Sequence, residues 1–209
     1  MRIGVLGTGT MGMALGRLFA RGGHEVVFGS RSAARARIAA ESVRAAAGSS
    51  YEGAAAGSDL VALAATWSDV PQVLAGAGPW SGRILLDCTN PEPPEGRGLV
   101  VGHLTSGAEE IARAAPGARV VKALNHIYAE ALDRVGPGRG RPAAFYCGDD
   151  VFAKEVVAGL LEGAGLRAID AGPLQSARYL EPLAALMVEL VRGQGWDPGA
   201  AAGLISGGG

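Results

Sequence analysis

The first residues of the chain contain the feature that most constrains its fold. An apolar segment over residues 2–6 is followed at once by a turn spaced Gly-x-Gly-x-x-Gly, whose glycines are Gly7, Gly9 and Gly12, and then by apolar residues at helical spacing. In such a strand-turn-helix unit the first glycine makes the tight turn, the second leaves room for a pyrophosphate and the third lets the helix pack closely on the strand. The N–H groups and the dipole of the helix then face the phosphates. The turn predicts a dinucleotide site, although a plain tight turn has the same spacing.

Strand-like and helix-like segments alternate along nearly the whole chain. Strands are predicted at 2–6, 24–28, 60–65, 84–87, 120–124, 143–147 and 167–170, and helices after the glycine turn and at 32–47, 151–163 and 175–192. The central strands are continuous apolar runs, which is typical of parallel strands covered by helices on both faces. This predicts an α/β fold with a Rossmann-type doubly wound parallel sheet in the order 3-2-1-4-5-6, which binds ligands beyond the carboxyl ends of its strands.

The length of the chain favours an organisation as one domain. We interpret the 209 residues as a single unit with a Rossmann core over about 1–135 and a small C-terminal α/β lobe over about 136–209.

The composition of the chain limits which classes of partner it can bind and in which compartment we expect it. Basic and acidic residues number 19 and 20, so the chain lacks the strong field that recruits nucleic acid, and we expect no such partner. No apolar run approaches the ~20 residues of a membrane span, and a strand starting at Arg2 leaves no room for a leader, so we expect a cytoplasmic protein with no membrane partner. Cys88 and Cys147 lie far apart in no metal or redox spacing, which predicts free buried thiols and no metal site.

The end of the second strand indicates which dinucleotide binds. NAD sites place Asp or Glu there to accept hydrogen bonds from the ribose 2′-hydroxyl, but this strand is followed by Ser30 and Arg31. A serine can donate a hydrogen bond to a 2′-phosphate, an arginine can form a charge-assisted pair with it, and Arg35 lies one helical turn further on. The segment predicts NADP(H). In the alternative interpretation the arginines form a solvated basic helix face, to which we assign Arg37.

Together with four further segments, the glycine turn gives the sequence a family resemblance. These segments are 29–31, 120–125, 147–150 and 170–174, the last continuing through Ser176, Arg178 and Glu181. The sequence resembles the coenzyme F-420-dependent NADP oxidoreductases, whose nucleotide domain is also similar to that of the six-transmembrane metalloreductases. The resemblance implies a C-terminal lobe packed on the nucleotide domain, with the deazaflavin stacked on the nicotinamide in the cleft between them. Hydride then passes directly between carbon atoms.

The resemblance also implies site residues. The pyrophosphate is expected at Thr8, Gly9, Thr10 and Met11, the 2′-phosphate at Ser30, Arg31 and Arg35, and the nicotinamide side at Ala65, Asn90 and Ala129. Two features differ from the archaeal deazaflavin enzymes: this chain has Asn125-His126 where they have histidine and threonine, and it ends differently after Gly195.

Three residues near one strand end are candidates for the reacting side. Asn125 and His126 follow the strand at 120–124, and Lys122 lies within it. His126 can bond a carbonyl or ring nitrogen of the second substrate, or it can pack against its own turn. Lys122 can orient Asn125 or approach the nicotinamide amide, or it can be an ordinary surface lysine.

Hydride transfer between NADP(H) and a deazaflavin or flavin is the predicted function. An imine or carbonyl reductase benefits from a positioned proton donor, whereas exchange between two ring systems needs chiefly alignment. The scarcity of evident acids and bases favours ring-to-ring transfer. The alternatives are an NADPH-dependent imine or carbonyl reductase and a non-catalytic NADP(H)-binding sensor or partner subunit. A homodimer is also expected through an apolar C-terminal helix, whose residues can equally be ordinary core: Leu183, Leu186, Met187 and Leu190.

Overall fold

One sheet flanked by helices organises the computed structural model, which describes residues 1–43, 46–96, 98–136 and 140–199. Its strands are β1 (Arg2–Leu6), β2 (Glu25–Gly29), β3 (Ala46–Ser49), β4 (Leu60–Leu63), β5 (Ile84–Asp87), β6 (Arg119–Ala123), β7 (Ala143–Gly148) and β8 (Arg167–Asp170). Its helices are α1 (Thr10–Arg21), α2 (Ala33–Val43), α3 (Tyr51–Ala55), α4 (Val70–Gly76), α5 (Gly107–Ala114), α6 (Ala129–Asp133), α7 (Val151–Gly163) and α8 (Ala177–Val188).

The strand order is β3-β2-β1-β4-β5-β6-β7-β8, which is a doubly wound arrangement as predicted. The third strand of that order is not the one expected, because the predicted strand at 60–65 is β4 and pairs with β1, whereas β3 lies in the segment predicted as helix. All neighbouring strands are parallel except β6 and β7, which run antiparallel. Strands β7 and β8 extend the same sheet rather than forming another one. The chain reverses its winding between β1 and β4, which places the glycine turn at the point where doubly wound sheets bind ligands.

Each face of the sheet has an apolar core. One core packs α1, α2, α6 and α7 on the sheet and includes Leu15, Phe19 and Phe28. The other packs α3, α4, α5 and α8 on the opposite face and includes Leu63 and Ile111. Because both faces are covered, the central strands β4 and β5 are buried throughout. None of the helices in the described ranges is long and apolar enough to span a bilayer.

The predicted helix at 32–47 is wrong at its C-terminal end. It begins as expected, since the Ser32 hydroxyl accepts a 3.3 Å hydrogen bond from the Arg35 N–H, but α2 ends at Val43. Residues 44–45 lie outside the described part, and Ala46–Ser49 forms β3, paired with β2. Alanine has a high helix propensity, but the pairing of this segment with the edge of β2 overrides that local preference.

The C-terminal helix is divided. Residues 174–176 form a 3-10 turn, α8 follows, and Glu189–Gly193 forms a π-turn, where the sequence predicted one helix over 175–192. On α8, Leu186 is exposed and Met187 is buried. The homodimer stays a prediction.

Candidate functional site

Three cavities that share lining residues lie at the carboxyl ends of the central strands. A central cavity of about 630 Å³ extends from Gly9 to Asn125. A basic cavity of about 200 Å³ shares Gly9 and Ala65 with it, and a side cavity of about 420 Å³ shares Asn125 with it on the other flank. The arrangement suits an elongated ligand that enters the basic cavity at one end and the central cavity at the other.

The glycine turn has the geometry that a dinucleotide needs. Gly7 has φ +132°, and a Cβ there would lie 2.2 Å from the Ala64 carbonyl oxygen; a Cβ on Gly12 would lie 2.2 Å from the Gly7 oxygen. Those two glycines are required by the turn and by close packing. A Cβ on Gly9 meets nothing within 4 Å, so the space beside this glycine is open.

Helix α1 begins in that open space. Gly9 is its N-cap and offers no side-chain hydrogen bond, and the first turn contains no acidic residue. The first N–H groups of a helix have no intrahelical partner, and the helix dipole favours a negative charge at this end. The residues present therefore fit a pyrophosphate bound at the start of α1.

The basic cavity brings together the residues predicted around a 2′-phosphate. Ser30, Arg31 and Arg35 line it with Thr8 and Gly9. Ser30 is largely buried, and its hydroxyl oxygen accepts a 3.2 Å hydrogen bond from the Ser32 N–H, which leaves its own O–H able to donate. No acidic residue ends β2, as a 2′-phosphate requires.

Two residues that the sequence did not point to hold the Arg31 side chain. Its guanidinium donates a 3.1 Å hydrogen bond to the Gln72 side-chain oxygen and lies 3.6 Å from the Asp69 carboxylate. The arginine is thereby directed along the cavity wall, with Asp69 offsetting part of its charge.

Two asparagines join the ends of β5 and β6. Asn90 donates from its amide to the Asn125 backbone oxygen at 2.8 Å, and the Asn125 amide donates to the Asn90 side-chain oxygen at 2.9 Å and to the Leu180 carbonyl at 2.9 Å. The Asn125 side-chain oxygen is buried and has no partner among the described residues. Leu124, one residue earlier, has the left-handed φ of +64°, a strained conformation for leucine that turns the chain toward Asn90.

His126 lines the side cavity, together with Ala129, but is packed against β7. Its Nε2 lies 3.2 Å from the Ala143 carbonyl oxygen, and its ring centre lies 5.2 Å from that of Phe145. The contact is with a distant strand, not with its own turn, which corrects the second of the two sequence-based interpretations. Burial lowers the pKa of His126, although the Ala143 hydrogen bond opposes this, so the neutral ring with Nε2–H donating is favoured.

Lys122 lies inside the protein, so both the surface interpretation and a direct contact with the nicotinamide amide are corrected. Its side chain is fully buried and lines none of the three cavities. The ammonium lies 2.8 Å from the Asp87 carboxylate, 3.0 Å from that of Glu181 and 2.8 Å from the Thr89 carbonyl oxygen. Burial lowers the pKa of Lys122, but the two carboxylates outweigh burial and the net shift is upward.

Glu181 extends this buried cluster to a helix end. Its carboxylate accepts hydrogen bonds from the N–H groups of Gly107 at 2.9 Å and Ala108 at 3.1 Å, at the start of α5. The cluster thus connects β5, β6, α5 and α8. The sequence indicated Glu181 only as part of the family resemblance, because a glutamate in an apolar helix does not reveal its partners.

The two thiols are buried. Burial raises the pKa of Cys88 well above its usual range and that of Cys147 to about 12, so both are protonated and poor nucleophiles near neutral pH. In the part of the chain that the structure describes, no group of three or more His, Cys, Asp or Glu side chains could hold a metal ion.

Comparison with known proteins places this geometry in a family. The sequence pattern of the family described as "NADP oxidoreductase coenzyme F420-dependent" matches residues 2–91. The chain is 36% identical over 210 residues to the F420-dependent NADP reductase of Methanothermobacter thermautotrophicus, covering 91% of this chain and 89% of the relative. It is 31% identical over 182 residues to the rat metalloreductase STEAP3, covering 87% of this chain but only 36% of that relative's length.

A solved structure shows the same relationship. The crystal structure of a protein from Arthrobacter sp. FB24, described as a putative F420-dependent NADP-reductase, superposes with a TM-score of 0.82 at 32% identity, covering 93% of this chain and 95% of that one. The extent and identity of these matches show that the chain belongs to the family of coenzyme F-420-dependent NADP oxidoreductases.

Proposed function

We propose that the protein transfers hydride between NADP(H) and a deazaflavin or flavin. The observation that carries the proposal is the continuity of the central cavity, which is lined at one end by Gly9 and Met11 of the glycine turn and at the other by Asn90 and Asn125. A nucleotide held at the turn and a second planar ring can therefore occupy adjoining space. The names of the relatives support both partners.

In this proposal, different groups of residues bind the pyrophosphate, the 2′-phosphate and the nicotinamide of NADP(H). The pyrophosphate is placed at Thr8, Gly9, Thr10 and Met11, where α1 begins. The 2′-phosphate is placed in the basic cavity with Ser30, Arg31 and Arg35. The nicotinamide is placed beside Ala65 and Asn90, with Ala129 in the side cavity beyond it. The bound nucleotide supplies or accepts the hydride.

Alignment of the rings is assigned to Asn125. Its buried, unpartnered oxygen can accept a hydrogen bond from a carboxamide or a ring N–H, and the paired Asn90 keeps it in place. Lys122 acts as a positioning residue in this account, because its ammonium donates to the Thr89 carbonyl and thereby holds the residue next to Asn90. His126 contributes packing on the side-cavity wall.

Stopped-flow oxidation of NADPH with a panel of acceptors tests the proposal. We expect fast transfer to oxidised F-420 or to riboflavin and slow transfer to ferric citrate. Asn125→Ala should lower the rate, while Arg37→Ala, on the exposed face of α2, should leave it unchanged. NADPH that binds tightly but reduces no deazaflavin or flavin would contradict the proposal and favour a binding sensor.

A further inference from the structure

Glu92 is a cavity carboxylate to which the proposed ring-to-ring transfer assigns no role. It follows β5 by five residues and lines both the central and the side cavity, as do Asn90 and Asn125. Its backbone N–H donates a 2.8 Å hydrogen bond to the Asn90 carbonyl, which fixes it next to a residue of the nicotinamide side. A half-buried acid is thus held where the second substrate would bind.

We propose that the same cavity also reduces small cyclic imines, with Glu92 as the group that protonates the imine nitrogen. The inference rests on the proposed NADP(H) hydride chemistry and adds a second substrate class to it.

The charges around the cavities support a cationic substrate. Three carboxylates, those of Glu92, Glu95 and Glu130, line the central and side cavities against one guanidinium, that of Arg192. Arg192 also donates a 3.0 Å hydrogen bond to the Gly96 carbonyl, which occupies part of its donor capacity. A protonated imine suits this environment, because nearby carboxylates favour a positive charge. The basic cavity, which is lined by Arg31 and Arg35, is assigned to the 2′-phosphate of NADP(H) and not to the imine.

The surroundings of Glu92 also suit a proton donor. Burial raises the pKa of Glu92, and the neighbouring Arg192 opposes the rise. Tyr128, in the same side cavity, has a buried hydroxyl without a hydrogen-bond partner among the described residues, and it lies within the electrostatic range of Glu92, Arg192 and Glu130. This hydroxyl offers a second O–H to a substrate nitrogen. His126 does not compete for the role, since in the neutral ring the proton lies on Nε2, which donates to the Ala143 carbonyl, and the buried Nδ1 is left as an acceptor.

The reaction balances with these groups. The carboxylic acid of Glu92 gives its proton to the imine nitrogen, and the dihydronicotinamide of NADPH gives hydride to the imine carbon. A C–H and an N–H bond form while the C=N π bond breaks, so that the imine is reduced to an amine and NADPH is oxidised to NADP⁺. The Glu92 carboxylate then recovers a proton from water.

The experiment supplies NADPH with 1-pyrroline or 3,4-dihydroisoquinoline and measures the amine formed. Glu92→Gln should lower kcat/KM for the imine by about 10²–10⁴-fold, the usual contribution of a positioned acid. Glu92→Asp should retain more imine activity than the glutamine variant. Glu110→Gln, on α5 and away from the cavities, is the matched control.

A binding measurement tests the role of the Glu92 carboxylate independently of catalytic turnover. Calorimetric titration of pyrrolidinium into the NADP⁺ complex should give an affinity about tenfold weaker in Glu92→Gln than in wild type, because a charged hydrogen bond is lost. Absence of imine reduction by the wild type, or equal rates and affinities in wild type and Glu92→Gln, would overturn the inference. Imine reduction without any ring-to-ring transfer would instead overturn only the proposed function.

Discussion

The ammonium of Lys122 and the carboxylate of Glu181 lie 3.0 Å apart in the protein interior, with neither side chain more than 1% exposed. Lys122 belongs to a central strand and Glu181 to α8, whose later turns carry Ala184 and Met187 on the wall of the side cavity. The pair therefore joins the helix that carries that wall to the strand that precedes Asn125.

Loss of the Lys122 ammonium should destabilise the fold strongly. Lys122→Met leaves the buried carboxylates of Asp87 and Glu181 without their cation, which we expect to reduce the free energy of unfolding by about 3–5 kcal/mol. Arg37→Met breaks an exposed pair with Glu41 at 3.7 Å and should cost at most about 0.5 kcal/mol. Urea denaturation of both variants measures the difference. Similar losses in the two would show that the buried cluster has no special role.

His126 should make the protein less stable in mild acid. Burial lowers its pKa in the folded state below the ordinary 6.5, so the unfolded chain binds a proton first as the pH falls. Stability is therefore unaffected above about pH 6.5 and declines below it, by at most about 1.4 kcal/mol per pH unit, until the folded-state pKa is reached. Thermal unfolding between pH 7.5 and 5 should show a steeper decline in wild type than in His126→Gln. Parallel curves would refute this assignment.

Two glycines of the turn should respond differently to valine. Gly9 has an ordinary φ of −80° and open space around its Cβ position, so Gly9→Val should fold normally but bind NADPH at least a hundredfold more weakly, because the side chain fills the pyrophosphate space. Gly12→Val should lose stability as well, since its Cβ would lie 2.2 Å from the Gly7 oxygen. Thermal melting and fluorescence titration distinguish the two. Unchanged affinity in folded Gly9→Val would remove the turn from the nucleotide site.

Arg31 should carry most of the preference for the 2′-phosphate. Arg31→Ala removes a charge-assisted hydrogen bond of about 1.5–3 kcal/mol, so the affinity for NADPH should fall roughly ten- to a hundredfold while that for NADH hardly changes. Arg37→Ala is the matched control, because Arg37 lies on the same helix, paired with Glu41 and outside the basic cavity. Equal effects of the two substitutions would indicate general electrostatic attraction instead of a phosphate contact.

Local patterns were sufficient to predict much of the fold. Helix α7 and strand β8 begin and end at the predicted residues, because apolar periodicity, an Asp150 cap and the surrounding turns all agree there. Strand β3 was missed, since its alanines favour helix and only pairing with β2 makes them a strand. The antiparallel direction of β7 also follows from sheet assembly and leaves no local signal.

The residues of the candidate site likewise fall into those that the local sequence predicts and those that it does not. Gly7, Gly9 and Gly12 could be predicted because their spacing itself encodes the turn. The burial of Lys122 could not, because its partners Asp87 and Glu181 lie far away in sequence. Glu92 lies in a proline-rich segment whose path over the cavities depends on contacts with the rest of the protein.

Titration of the wild-type protein with NADPH and with NADH, followed by nucleotide fluorescence at fixed ionic strength, tests the NADP(H) site on which the whole account depends. We predict that NADPH binds at least about tenfold more tightly than NADH, since only NADPH carries the phosphate that Ser30 and Arg31 are placed to bind. Equal affinities, or tighter binding of NADH, would contradict the account.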